Sequence, residues 1–148
     1  HSNGAFMAAR FACAAPELIA GVAAVAGVYV PGDGCGGAVP LVAFHGTADD
    51  IVPYGGGMVR EVYRYAGVQA EMARWATVDG CTGASKTSKV TGKLSVQEWP
   101  TCGAALRLYI LEGGSHAWPQ LPPAADSTPS TAADLIWRFF KEKATVSH

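Results

Sequence analysis

The chain has 148 residues, 49% hydrophobic and 16% charged, with a formal net charge of −1 and a mean hydropathy of +0.16. That apolar content supports a packed core and excludes a disordered chain, while the balanced charge, without a basic run, gives nucleic acid nothing to bind. The longest apolar stretch, residues 19–30, is broken by Gly21 and Gly27 and is shorter than the ~20 residues of a membrane span, so the chain reads as one soluble domain, or a piece of one.

Residues 3–14 carry Phe6, Met7, Phe11 and Ala12 at near-helical spacing, and Pro16 stops that helix. A short turn over 17–20 leads to the apolar run 21–30, which is rich in valine and reads as a buried strand. Residues 39–44 form a second buried strand that ends at His45-Gly46-Thr47. A turn over 53–57 and a mixed segment precede a helix over 68–78, in which Trp75 is a core residue. The polar stretch 81–93 is a surface loop or hairpin whose Lys86, Lys89 and Lys93 face solvent, and 95–99 alternates like an edge strand. Residues 106–111 are a further strand, followed by Gly113-Gly114-Ser115-His116. After the proline-rich stretch 119–129, Ser130 is placed to cap a last helix that buries Leu135, Ile136, Phe139 and Phe140. Buried strands separated by helices predict an α/β protein with a mostly parallel sheet and flanking helices.

Three short stretches carry candidate chemistry. Ser2-Asn3-Gly4 matches the second half of a G-x-S-x-G nucleophile elbow, in which a serine is exposed on a strand-to-helix turn. Its plainer role is to cap the helix that follows. Asp49 and Asp50 follow a predicted strand end, where an acid can orient an imidazole and stabilise the imidazolium. His45, just before them, reads as a hydrogen-bonding residue of the turn. His116 follows two glycines that let the loop swing over the sheet edge. Serine, then acid, then histidine is the chain order of an α/β-hydrolase triad, with each residue at the end of a strand or on the turn it feeds.

The four cysteines, Cys13, Cys35, Cys81 and Cys102, allow three full pairings that sequence leaves open. Their even number in a chain rich in Gly, Ser, Thr and Pro points to an oxidising compartment. With no CxxC pair and with scattered histidines, no metal site is expected.

The segments SNGAFMAARFACAAPELIAGVAAVAG, HGTADDIVPYGGG, ARWATVDGC, EGGSHAWP and IWRFFKEK together resemble the extracellular polyhydroxybutyrate depolymerase and feruloyl/acetyl-xylan esterase group of α/β hydrolases. The resemblance implies the C-terminal part of an α/β-hydrolase fold, beginning at the elbow with the N-terminal strands missing, so that residues 1–148 are a single partial catalytic domain. It implies secretion, with the signal peptide outside this chain, no cofactor, and a serine esterase acting on polyester or on feruloyl or acetyl esters of plant polysaccharide. Ser2 aligns with the nucleophile, His116 with the general base, and Asp49 with the acid through the D-x-x-V-P spacing. The backbone N–H of Asn3 would be an oxyanion donor, and Tyr54 and Trp118 candidate pocket residues. The resemblance and the layout suggest disulfides Cys81–Cys102 and Cys13–Cys35. The expected partner is an ester substrate, polymeric ones included, with no nucleic acid or membrane; oligomeric state is left open. Lacking the loop that supplies a second oxyanion donor, the 148 residues alone are expected to be a poor esterase. The competing readings are a serine peptidase of the same fold and an inactive hydrolase-like domain.

Overall fold

The computed structural model describes residues 1–121 and 131–144. In chain order the elements are α1 (Asn3–Ala14), a single 3-10 turn (Pro16–Leu18), β1 (Val22–Val25), β2 (Leu41–Gly46), β3 (Gly57–Val59), β4 (Tyr63–Tyr65), α2 (Val68–Val78), β5 (Lys86–Thr91), β6 (Leu94–Trp99), β7 (Leu106–Leu111) and α3 (Ala132–Ala144). Five strands form one sheet in the order β1-β2-β7-β6-β5, and β3 and β4 form a separate hairpin.

The expectation of a mostly parallel sheet with flanking helices is corrected here, because the large sheet is mixed. β1–β2 and β2–β7 pair in parallel, whereas β7–β6 and β6–β5 are antiparallel. The reason lies in the polar segment that read as a loop or hairpin. Lys86–Thr91 turns back at Gly92 as a hairpin and adds two strands by the short connection that only antiparallel pairing allows. The 95–99 strand expected at the edge is therefore interior, between β5 and β7, and the exposed, lysine-bearing β5 is the edge. A charged, short edge strand of this kind blunts unwanted strand pairing.

The expected strand over 21–30 forms only at Val22–Val25. Ala26 adopts φ +51° and ends it, although Val28 and Val30 remain buried. Side chains of α2 hold the irregular stretch that follows: Glu71 Oε2 accepts from Val30 N at 2.8 Å, and Trp75 Nε1 donates to Tyr29 O at 3.0 Å. Apolar continuity alone could not distinguish this buried coil from strand.

Alternation along the central strands sorts the core into two layers. Leu41, Ala43, Leu106 and Leu108 pack with α1 and α2, whereas Val42, Phe44 and Tyr109 pack with Phe139 of α3. The face of α1 that meets the sheet is Ala5, Ala9, Ala12 and Cys13, small residues that let the helix approach closely. Met7 and Phe11, part of the expected apolar set, are exposed. Trp75 and Phe139 are core residues as read from sequence. Ser130 lies outside the described residues; Thr131 Oγ1 accepts from Asp134 N at 3.1 Å at the start of α3, an N-cap bond. Disulfides join Cys13 to Cys35 and Cys81 to Cys102, the second closing a loop worth about 3 kcal/mol in the chain-entropy description.

Asp79, at the end of α2, is buried; its Oδ1 accepts from Val39 N at 3.1 Å, while Oδ2 has no partner among the described residues. Burial pushes its carboxyl up to about 7, against the smaller opposing effect of the Val39 bond. A folded-state value above the unfolded one means that its stabilising contribution is full below about pH 4 and is lost as pH rises to about 7. Asp79→Asn keeps the Val39 acceptor without the buried charge. It should raise Tm at pH 8 but not at pH 4, by roughly 2–4 °C for each kcal/mol relieved, as read by thermal melts at both pH values.

Candidate active site

The C-terminal ends of β1, β2 and β7 lie side by side; Asp49 and His116 sit on the turns beyond β2 and β7, and Ser2, just before α1, abuts the end of β1. Ser2 is fixed to β1 by its backbone N–H, which donates to Val25 O at 2.8 Å. Its backbone lies at φ 53°, ψ −125°, a strained conformation for a residue with a side chain, and α1 begins at the next residue. Gly27 makes the approach possible, since a Cβ there would stand 2.8 Å from the Ser2 carbonyl oxygen. Ser2 makes no side-chain cap bond to α1. Its hydroxyl points elsewhere.

The β2 and β7 turns are locked together. Thr47 N donates to Leu111 O and Ala48 N to Gly114 O, both at 2.9 Å, and Gly113 N donates to Thr47 Oγ1 at 2.8 Å. Gly46 and Gly114 touch backbone to backbone; a Cβ on Gly46 would overlap the Gly114 carbonyl. The glycines beside His45 and before His116 thus bring two loops into register.

This scaffold brings Ser2, His116 and Asp49 together. Ser2 Oγ lies 2.8 Å from His116 Nε2, and His116 Nδ1 lies 3.0 and 2.9 Å from the two oxygens of Asp49. A carboxylate only accepts, so Nδ1 carries the hydrogen and, in the neutral ring, Nε2 is free to accept from the serine hydroxyl. Asp49 is fully buried at its side chain while His116 is 19% exposed. Asp49 Oδ1 also accepts from the N–H of Ile51 at 3.0 Å and Val52 at 2.8 Å, which holds the carboxylate in one orientation. Asp50 is exposed.

His45 does make the turn hydrogen bond read from sequence, donating from Nε2 to Val52 O at 2.9 Å. What sequence did not disclose is that the same Nε2 lies 3.2 Å from Asp49 Oδ2. The ring is buried and its Nδ1 has no partner among the described residues. Burial pushes its pKa below the usual imidazole value, offset in part by the Val52 bond and Asp49, and the Nε2 hydrogen goes to the Val52 carbonyl. His45→Phe removes the bond that ties His45 to Val52, whose own N–H orients Asp49, and should lower kcat about ten-fold while the fold survives; steady-state kinetics beside circular dichroism would measure both.

The Asn3 N–H sits at the first turn of α1, where helix amides have no internal acceptor, and it meets no acceptor among the described residues. Beside Ser2 lies a cleft of about 250 Å³ whose lining includes Asn3, Phe6, Ile51, Val59, Arg60 and Tyr63. Tyr54 and Trp118 are not in it. Tyr54 packs its ring 6.0 Å from His45 and accepts from Gln69 at its hydroxyl, so it supports the acid turn. Trp118 is exposed and lies 6.4 Å from the ring of His1, which itself donates from Nε2 to His116 O at 2.8 Å. The cleft residues Val59 and Tyr63 come from the β3–β4 hairpin, which reads from sequence only as a mixed segment. Among the described residues no group of three His, Cys, Asp or Glu side chains could hold a metal ion.

No model of a known protein family matches the chain. Over 82 residues, 53% of this chain, it is 30% identical to feruloyl esterase B of Piromyces equi, and the match covers 15% of that protein's length. The similarity supports an esterase relationship at a coarse level.

Proposed function

We propose that the chain carries the catalytic centre of a secreted serine hydrolase that cleaves carboxylic esters, with Ser2 as nucleophile, His116 as general base and Asp49 as the orienting acid. The observation that carries this reading is the continuous hydrogen-bonded line from Ser2 Oγ through His116 to Asp49, at 2.8 and 2.9 Å. Its support from outside the structure is the similarity to a protein named as a feruloyl esterase, and the two disulfides fit an oxidising compartment.

A serine hydroxyl is a weak nucleophile at neutral pH, so its proton passes to His116 Nε2 as Oγ bonds to the ester carbonyl carbon. The carbonyl oxygen takes up the electron pair, and the Asn3 N–H is placed to donate to it. As the intermediate collapses the carbon–alkoxy bond breaks, and His116 returns its proton to the departing alcohol. A water then attacks the acyl-enzyme, gives a proton to His116 and releases the acid with Ser2 restored. Asp49 keeps Nδ1–H directed at itself and stabilises the imidazolium in both steps.

The test is hydrolysis of p-nitrophenyl acetate and methyl ferulate by the natural protein carrying this sequence, beside its Ser2→Ala variant. Turnover that vanishes in the variant supports the reading. Equal rates in both proteins, or none in either, contradict it.

A further inference from the structure

Arg60 is the one charged side chain among the described residues that line the cleft beside Ser2, whose other walls include Phe6, Ile51, Val59 and Tyr63. Arg10, Arg74 and Arg107 are each paired with a carboxylate, whereas Arg60, like Arg64 and Arg138, has no hydrogen bond or ion pair among the described residues, and of these three only Arg60 lines the cleft. Its backbone is also held under constraint. The connection between β3 and β4 is closed by Val62 N donating to Val59 O at 2.9 Å, and it places Arg60 at φ +47° and Glu61 at φ +58°. Glycine, asparagine and aspartate are the residues that adopt this region readily. A surface turn with no other task would be more stable with one of them, and strain of this kind gathers at ligand sites.

We propose that Arg60 is an anion-binding subsite of the cleft, so that the preferred ester carries a carboxylate separated from the scissile carbonyl by an apolar spacer. This rests on Ser2 being the nucleophile. Phe6, Ile51, Val59 and Tyr63 would enclose the spacer, and the planar guanidinium would take the carboxylate through paired N–H donors.

The carboxylate can sit on the acyl or the alcohol side, and two substrate pairs separate them. The acyl pair is the p-nitrophenyl monoester of adipic acid against p-nitrophenyl hexanoate. The alcohol pair is the butyrate ester of 4-hydroxybenzoate against phenyl butyrate. In one of them, Arg60→Gln should lower the ratio of kcat/KM, anionic over neutral, by about ten-fold or more, mainly through KM. Arg60→Lys should restore part of it. A purely structural role would lower both substrates alike and leave the ratio unchanged in both pairs, which would overturn the proposal. Calorimetry with the unreactive mono-anilide of adipic acid keeps this separate from the esterase reading. Binding about ten-fold weaker in Arg60→Gln supports the subsite even where neither ester is cleaved. Equal affinity for both proteins, together with unchanged ratios, refutes it.

Discussion

Asp49→Asn should lower kcat by about four orders of magnitude, with KM little changed, while Asp50→Asn should stay within about two-fold of the parent. The asymmetry follows from where the two neighbours sit. Asp49 is buried and receives three donors, the N–H groups of Ile51 and Val52 and His116 Nδ1, with His45 Nε2 3.2 Å from its Oδ2. Asp50 is exposed and points into solvent. Asparagine at 49 keeps the shape but presents an N–H₂ group that can face His116. The imidazole is then free to take the opposite tautomer, with hydrogen on Nε2, and can no longer accept the serine proton. Stopped-flow or steady-state ester hydrolysis measures the loss, and circular dichroism checks that the variant is folded. Equal losses at both positions would place the acid wrongly.

Gly46→Ala should cost about 3 kcal/mol of stability and at least about 100-fold in activity, the second following from displacement of His116. The added methyl would occupy the Gly114 carbonyl position, so β2 or the His116 loop must move. Either movement breaks the bonds from Thr47 and Ala48 that hold the loops together. Gly4→Ala is the control for stability, because nothing lies within 4 Å of a Cβ there and, in the first turn of α1, alanine loses less backbone entropy than glycine on forming the helix. Chemical denaturation of the two variants should differ in sign.

Much of this arrangement is legible in the sequence. The helices over 3–14 and 68–78 and the strand over 106–111 match α1, α2 and β7 at both ends, because each has a clear period and a proline or glycine boundary. That a serine, an acid and His116 lie on turns at strand ends is legible from their order, whereas the choice of Asp49 over Asp50 comes from the resemblance to the esterase group. Sheet direction is not legible. The polar residues of Lys86–Thr91 hide a strand whose side chains face solvent, and strand pairing depends on turns that hydrophobic patterning does not encode. The buried face of α1 differs from the one its larger apolar residues predict: alanines, not Met7 and Phe11, face the sheet. The cleft was invisible because its walls are assembled from α1, the Asp49 turn and the β3–β4 hairpin, separated in sequence and joined only by the fold. Likewise, nothing in the sequence showed that His45 reaches Asp49, since both lie in one motif whose turn decides the contact.

The central claim is that Ser2 is made nucleophilic by His116 and Asp49. It is tested most directly by treating the natural protein carrying this sequence with a fluorophosphonate and locating the adduct by peptide mass spectrometry. Ser2 should carry the modification at neutral pH, labelling should slow by orders of magnitude in His116→Ala, and Ser115 and Ser95 should stay unmodified. An unmodified Ser2 in folded protein, or labelling of Ser2 at the same rate without His116, would contradict the account.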